Sequence, residues 1–274
     1  MVVIYGAPAW AARPAAGCER SGTPVTARAL APSAIGAYRA LIRSVLSLAR
    51  AVGLALPWWS PWNEPNHPYF ISPQRARCDA HAPAVSPARY VELARAMRAE
   101  LAADAPSHRL VLGELAGFVS PTPVAVSVGE FVAALPDDVV CSAGAWGVHY
   151  GLAGLARRAE ATVKALERAL ALRRCIAPVW VTEAGAPTRA TGSGGPAALC
   201  RELAAVLDAW NADSRVDAVF QYTFREDPLF PIGLAAPGLD RLRPAYAVWR
   251  AWGARAAADP APDTSRACSA ATAG

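Results

Sequence analysis

Leu54-Ala55-Leu56-Pro57-Trp58-Trp59-Ser60-Pro61-Trp62-Asn63-Glu64-Pro65 begins as an apolar run and ends in a polar cluster. Apolar residues without polar alternation predict a strand buried on both faces, the pattern of a parallel sheet covered by helices. The strand is expected over Leu54–Trp58. Its C-terminal end then delivers Asn63 and Glu64, and strand C-terminal ends are where a βα barrel builds its chemistry.

The same pattern recurs along the chain. Further strands are expected at Val2–Tyr5, Leu110–Gly113, Ala145–His149, Val179–Thr182 and Ala218–Thr223, separated by segments of helical period. Ile35, Tyr38, Ile42, Val45 and Ala49 form one apolar stripe, and Tyr90, Leu93, Met97 and Leu101 form another. Ser86-Pro87 reads as a cap followed by a first-turn proline, and Ser127 with Glu130 has capping-box spacing. Helices are also expected over Gly154–Arg174, Pro196–Ala212 and Pro244–Ala256. Strand–helix units of this length fit either a (β/α)8 TIM barrel or a doubly wound sheet. No Gly-rich phosphate loop follows the first strand, which weakens the second.

Polar residues gather at the strand ends: Glu64, Glu114, His149-Tyr150 and Glu183. Retaining hydrolysis of a glycosidic bond needs two carboxyl groups about 5–5.5 Å apart. Glu64 and Glu183 lie three units apart, so a closed barrel sets them across its mouth and an open sheet does not. The expected architecture is therefore an α/β barrel, incomplete, with about six βα units over residues 1–257. A disordered tail is expected at 258–274, where Ala, Pro, Ser and Thr carry no apolar period.

Asn63-Glu64-Pro65, His149-Tyr150 and Thr182-Glu183 together resemble clan A glycoside hydrolases, the group containing cellulases and β-xylosidases. The opening Tyr5-Gly6-Ala7-Pro8-Ala9-Trp10-Ala11 resembles their third strand, so the resemblance implies that two N-terminal units precede this chain. It implies a retaining glycosidase with Glu64 as acid/base and Glu183 as nucleophile. Asn63 would bond the sugar 2-hydroxyl, and Tyr150 or His149 would orient Glu183. Trp10, Trp62 and Tyr222 are candidates for stacking on sugar rings, and Glu114 is either a helper carboxylate or a buried ion-pair partner. Two departures stand out: the second-strand arginine of the family has no counterpart, and Tyr222 or Phe224 replaces the eighth-strand tryptophan. An inactive glycan-binding barrel is the alternative, and a metal site of Glu64, His149 and Glu183 a remoter one; neither metal nor cofactor is expected.

Composition narrows the partners. Of 274 residues 54% are hydrophobic and 18% charged, and no apolar run reaches the ~20 residues of a membrane span. Net charge is +5, yet no basic run of five or more occurs and Lys164 is the sole lysine, so no nucleic acid is expected. The expected partner is a carbohydrate substrate, and the full-length form is expected to be a monomer. Six cysteines (18, 78, 141, 175, 200 and 268) show no zinc spacing, which favours an oxidising, extracellular location for the full-length parent. Met1 runs directly into an apolar strand, without the charged and apolar regions of a signal peptide. Cys141 and Cys175 each lie eight residues before a strand end (149 − 141 and 183 − 175), which predicts their pairing across the bottom rim; Cys18 and Cys78 are a second candidate pair.

Overall fold

The computed structural model describes residues 1–19, 21–149, 156–188, 195–227, 231–254, 260–264 and 267–268. The chain divides into two compact units: Met1–His149 with Thr162–Trp180, and Tyr150–Ala161 with Val181–Gly274. Six parallel strands alternate with helices, as the unbroken apolar runs require.

In the first unit β1 (Val2–Val3), β2 (Trp58–Ser60), β3 (Arg109–Leu115) and β4 (Ala145–His149) are neighbours in chain order. Their registers pair Val2 with Trp59, Trp58 with Arg109, and Val111 with Ala145. The start of β5 (Val179–Ala184) follows, because the Trp146 N–H donates to the Pro178 carbonyl at 2.9 Å. Leu110, Val111, Leu112, Leu115, Trp146 and Val148 are all buried, the two-sided burial that the non-alternating pattern predicts. Helices α1 (Ile35–Ala51) and α2 (Ser86–Asp104) bury Tyr38, Ile42, Leu46 and Ala49, and Tyr90, Leu93, Met97 and Leu101. Short helices α3 (Val128–Ala133) and α4 (Asp137–Val140) precede β4, and α5 (Ala156–Leu172) follows it.

In the second unit α6 (Gly195–Ala212), β6 (Val216–Gln221) and α7 (Pro244–Gly253) follow β5. The exit of β6 lies beside the end of β5, where the Tyr222 N–H donates to the Ala184 carbonyl at 2.8 Å.

Three local expectations differ from the structure. The second strand starts at Trp58 instead of Leu54: Leu54 is 57% exposed and its N–H closes the end of α1 on the Ala49 carbonyl. Ser86 lies inside α2, its buried hydroxyl turned to Gln74 Oε1 at 2.8 Å. Half of the capping box forms, since Ser127 Oγ accepts the Glu130 N–H at 3.3 Å, but the Glu130 carboxylate goes to Arg75.

The Arg75 side chain is wholly buried in the loop between β2 and α2. Its guanidinium grips both oxygens of Glu130 (2.7 and 2.6 Å) and donates to the carbonyls of Thr122, Ala82 and Ala125 at 2.8, 2.8 and 3.1 Å. Without these partners the wholly buried guanidinium would be a desolvated charge. Disulfides join Cys18–Cys78, Cys141–Cys175 and Cys200–Cys268. Cys141 and Cys175 have Cα atoms 5.0 Å apart, as the shared bottom-rim position requires. Cys268, inside the segment expected to be disordered, is buried on α6 through Cys200.

Two stability measurements follow. Replacing Cys141 and Cys175 together by serine reopens a 34-residue connection and should lower the unfolding free energy by roughly 3–4 kcal/mol in denaturant titration. Arg75→Met, which strands the Glu130 carboxylate and three carbonyls, should cost about 3–5 kcal/mol by the same measurement.

Candidate active site

The turn after β2 is held by side chains, because so tight a turn leaves most of its backbone groups without partners of their own. Asn66 is buried and bonds three ways: its amide donates to the carbonyls of Ala116 and Val126 at 2.9 and 3.0 Å, and its Oδ1 accepts the Ala116 N–H at 2.8 Å. Gln74 donates to the carbonyls of Pro65 and Ile71 at 2.9 and 2.6 Å. Trp62, 1% exposed, closes the turn by donating its indole N–H to the Phe70 carbonyl at 2.7 Å. Both ring faces are therefore inside the protein.

Between these anchors Glu64 takes left-handed backbone, φ +38. Its N–H donates to the Glu114 carbonyl at 3.0 Å and its own carbonyl accepts the His67 N–H at 2.9 Å. Glu114 is also left-handed, φ +52, at the register shift between Leu112 and Leu115 in β3. Non-glycine residues adopt such backbone at a cost that surrounding structure must offset, and two adjoining cases mark a strained, over-determined site.

The strain aims both carboxylates at one histidine. His149, at the end of β4 and 2% exposed, has Nδ1 2.9 Å from Glu64 Oε1 and Nε2 3.2 Å from Glu114 Oε2. The Glu114 side chain is almost as buried, and its Oε1 has no hydrogen-bond partner among the described residues. Glycines make the room. A β-carbon on Gly147 would lie 2.4 Å from Glu114 Oε1, and one on Gly113 would lie 2.7 Å from the Gly147 carbonyl oxygen. The Gly113 N–H, turned out of the ladder, donates to the Tyr90 hydroxyl at 2.8 Å. Burial pushes the Tyr90 phenol far up, so it stays neutral.

An aromatic group borders Glu64. His67 stacks on Phe118 with ring centres 5.4 Å apart and adjoins Tyr69 and Phe70 at 5.3 and 5.8 Å. Its Nδ1 accepts the Tyr69 N–H at 3.1 Å, which fixes the neutral tautomer with the proton on Nε2. Burial lowers the His67 pKa, and the negative charge of Glu64 offsets part of that. Trp10, in a 3-10 turn after β1, is 73% exposed. Asn63 is half-buried beside Glu64.

In the second unit Glu183 occupies the end of β5, half-buried between buried Thr182 and Ala184. The next residue must be glycine: a β-carbon on Gly185 would meet the Tyr222 carbonyl oxygen at 2.7 Å. Half-buried Tyr222 lies at the exit of β6, where Gln221 Nε2 donates to the carbonyls of Tyr222 and Ile232 at 2.8 and 2.9 Å. Tyr150 lies outside the described residues.

Of the residues singled out in the sequence, Glu64, Glu114 and His149 thus form one hydrogen-bonded cluster in the first unit. Asn66, His67, Gln74 and Arg75 escaped sequence reasoning. The signal was present, since Asn66-His67-Pro68-Tyr69-Phe70 and Gln74-Arg75 are dense in hydrogen-bonding side chains, but loop residues without period give no hint of partners. Phe118→Ala, which uncovers one face of the His67 ring, should raise the His67 pKa toward its ordinary value in an NMR titration.

Neither a scan of protein-family models nor a search of curated proteins returned a match to this chain. Solved structures do resemble it. The GH53 catalytic domain of Ignisphaera aggregans is 15% identical over 78% of this chain and 64% of its own length, with TM-score 0.52. A GH30 endoxylanase from Clostridium papyrosolvens C71 is 11% identical over 89% and 52%, with TM-score 0.53. A β-glucuronidase of Bifidobacterium dentium, complexed with coumarin-3-O-glucuronide, is 13% identical over 85% and 35%, also with TM-score 0.53. The chain thus spans between about a third and two-thirds of these proteins. At such identities the likeness concerns fold, and the fold is similar to that of TIM-barrel glycoside hydrolases, with six strands among the described residues.

Proposed function

We propose that this chain is the catalytic part of a retaining glycosidase acting on β-linked glycosides, with Glu64 as acid/base and Glu183 as nucleophile. The observation that carries the reading is Glu64 itself: a carboxylate at a strand C-terminal end, held in strained backbone and hydrogen-bonded to a buried histidine. Strain of that kind collects at functional sites, and the fold's likeness to glycoside hydrolases supports the reading at the general level of glycosidase chemistry.

The chemistry needs two steps. Glu64 protonates the glycosidic oxygen while the Glu183 carboxylate attacks the anomeric carbon; the C–O bond to the leaving group breaks and an ester to Glu183 forms. Water then attacks the same carbon, gives its proton to Glu64, and frees Glu183, so two inversions leave the configuration unchanged. Asn63 is the candidate donor to the sugar 2-hydroxyl, and Trp10 and Tyr222 are the candidates for stacking on sugar rings. Three disulfides fit an oxidising compartment, and we extend the proposal to an extracellular enzyme.

Turnover of aryl β-glycosides by the purified protein is the test. Glu183→Ala should abolish it, by about a thousandfold or more, while glycan binding persists. Glu64→Gln should cost about 100- to 10,000-fold on poor leaving groups and far less on dinitrophenyl glycosides, which need no proton. A wild-type protein that binds glycans but hydrolyses no member of a broad aryl β-glycoside panel would sink the enzymatic reading and leave an inactive glycan-binding barrel.

A further inference from the structure

We propose that His67 is a specificity-determining residue of this site: its neutral imidazole donates Nε2–H to a hydroxyl of an uncharged sugar on the leaving-group side of Glu64, and Tyr69, Phe70 and Tyr5 carry the sugars beyond. The proposal rests on the reading of Glu64 as acid/base. It narrows the substrate from a β-linked glycoside in general to a β-linked oligosaccharide whose leaving group is a neutral sugar.

A donor without a protein partner carries the argument. His67 Nδ1 accepts the Tyr69 N–H at 3.1 Å, so the ring proton sits on Nε2, and burial favours that neutral form. The Nε2–H has no hydrogen-bond partner among the described residues. The ring is half-buried, and polar groups that a fold withdraws from water are as a rule paired. Here the partner is left to a ligand. The donor is also fixed in direction. Phe118 and Tyr69 lie at 22° and 35° to the imidazole plane, with ring centres 5.4 and 5.3 Å away. The His67 N–H donates to the Glu64 carbonyl at 2.9 Å, and the His67 carbonyl accepts the N–H groups of Phe70 and Ile71 at 3.0 and 3.1 Å.

The surroundings define the ligand. A neutral N–H donor matches a hydroxyl, and the charge that acts on it is the negative one of Glu64, which repels a carboxylated sugar. Aromatic faces suit the C–H faces of pyranose rings. Tyr69 and Tyr5 are 56% and 62% exposed, and Phe70 connects to both ends, 5.8 Å from His67 and 6.0 Å from Tyr5. The ring contacts thus run from the turn of Glu64 to the loop after β1. The shared turn also sets the side. An acid carboxyl lies against the oxygen that joins the two sugars, and His67 is bonded to the Glu64 backbone three residues on. The sugar it meets is the one that departs with that oxygen.

Two measurements test this. The first is 15N NMR of the His67 ring in the intact chain, which has four histidines; His67→Gln identifies the signal. Cellobiose, xylobiose, laminaribiose and mannobiose are the neutral probes and digalacturonate the acidic one. At least one neutral probe should shift the Nε2 signal saturably, and digalacturonate should not. The second measurement reads transfer, with a dinitrophenyl β-glycoside as donor and the same disaccharides as acceptors. A sugar hydroxyl attacks the glycosyl ester in place of water, the bond to Glu183 breaks, and the hydroxyl proton passes to Glu64. His67→Asn keeps an acceptor for the Tyr69 N–H but loses the outer donor, and should lower the ratio of transfer to hydrolysis about tenfold. His67→Gln, whose amide N–H reaches the place of Nε2, should hold that ratio within about threefold of the wild type. A signal that no neutral probe moves, an equal shift with digalacturonate, or an equal fall in the ratio for both variants would overturn the proposal. If no dinitrophenyl glycoside is turned over, it is the glycosidase reading that fails, and the wild-type titration alone then decides for or against His67 as a donor to sugar.

Discussion

A buried imidazole between two carboxylates is the constraint around which the first unit is arranged. Glu64 and Glu114, whose carboxylates flank the His149 ring, both take the left-handed region. Each departure forces another. The bend at Glu114 shifts the register of β3, frees the Gly113 N–H for Tyr90, and requires that β4 offer no side chain at Gly147. Charge, backbone strain and two glycines therefore form one arrangement, in which altering any member disturbs the others.

The turn beyond β2 has a different kind of rigidity. Asn66, Gln74 and Arg75 each bond several backbone carbonyls across the connections around it. Buried backbone polar groups demand partners, and in a loop without secondary structure side chains must supply them. The consequence is functional: residues that position a carboxylate to a few tenths of an ångström must themselves be immobile. Disulfide Cys18–Cys78 adds a covalent tie between the loops that follow β1 and β2. The second unit presents Glu183 with the same economy, on a strand end where Gly185 allows the neighbouring chain to approach.

Much of the fold was legible because it rests on local, periodic signals. Non-alternating apolar runs marked all six strands, and helical stripes marked α1 and α2; β3 and β4 are buried as such runs predict, whereas no residue of β1 or β6 is buried. Ser127 was legible as a cap for the same reason, its partner being three residues away. Strand limits were less so. Leu54–Pro57 is as apolar as a strand, but it is the lead-in from α1, and only the position of that helix decides where pairing begins.

For the site, the sequence by itself determined which residue types stand at strand ends, and hence Glu64, Glu114, His149 and Glu183 as the chemical inventory. It also determined the Cys141–Cys175 pairing, because two equal offsets from parallel strand ends meet at one rim. Tertiary structure alone decided that His149 bridges Glu64 and Glu114, that Trp62 is a core side chain with its indole committed to Phe70, and that Asn66, Gln74 and Arg75 hold the turn. The physical reason is that such contacts join residues tens of positions apart, through directional bonds with no sequence period. A chain announces what it must bury; which polar atoms then face one another depends on where the folded backbone carries them.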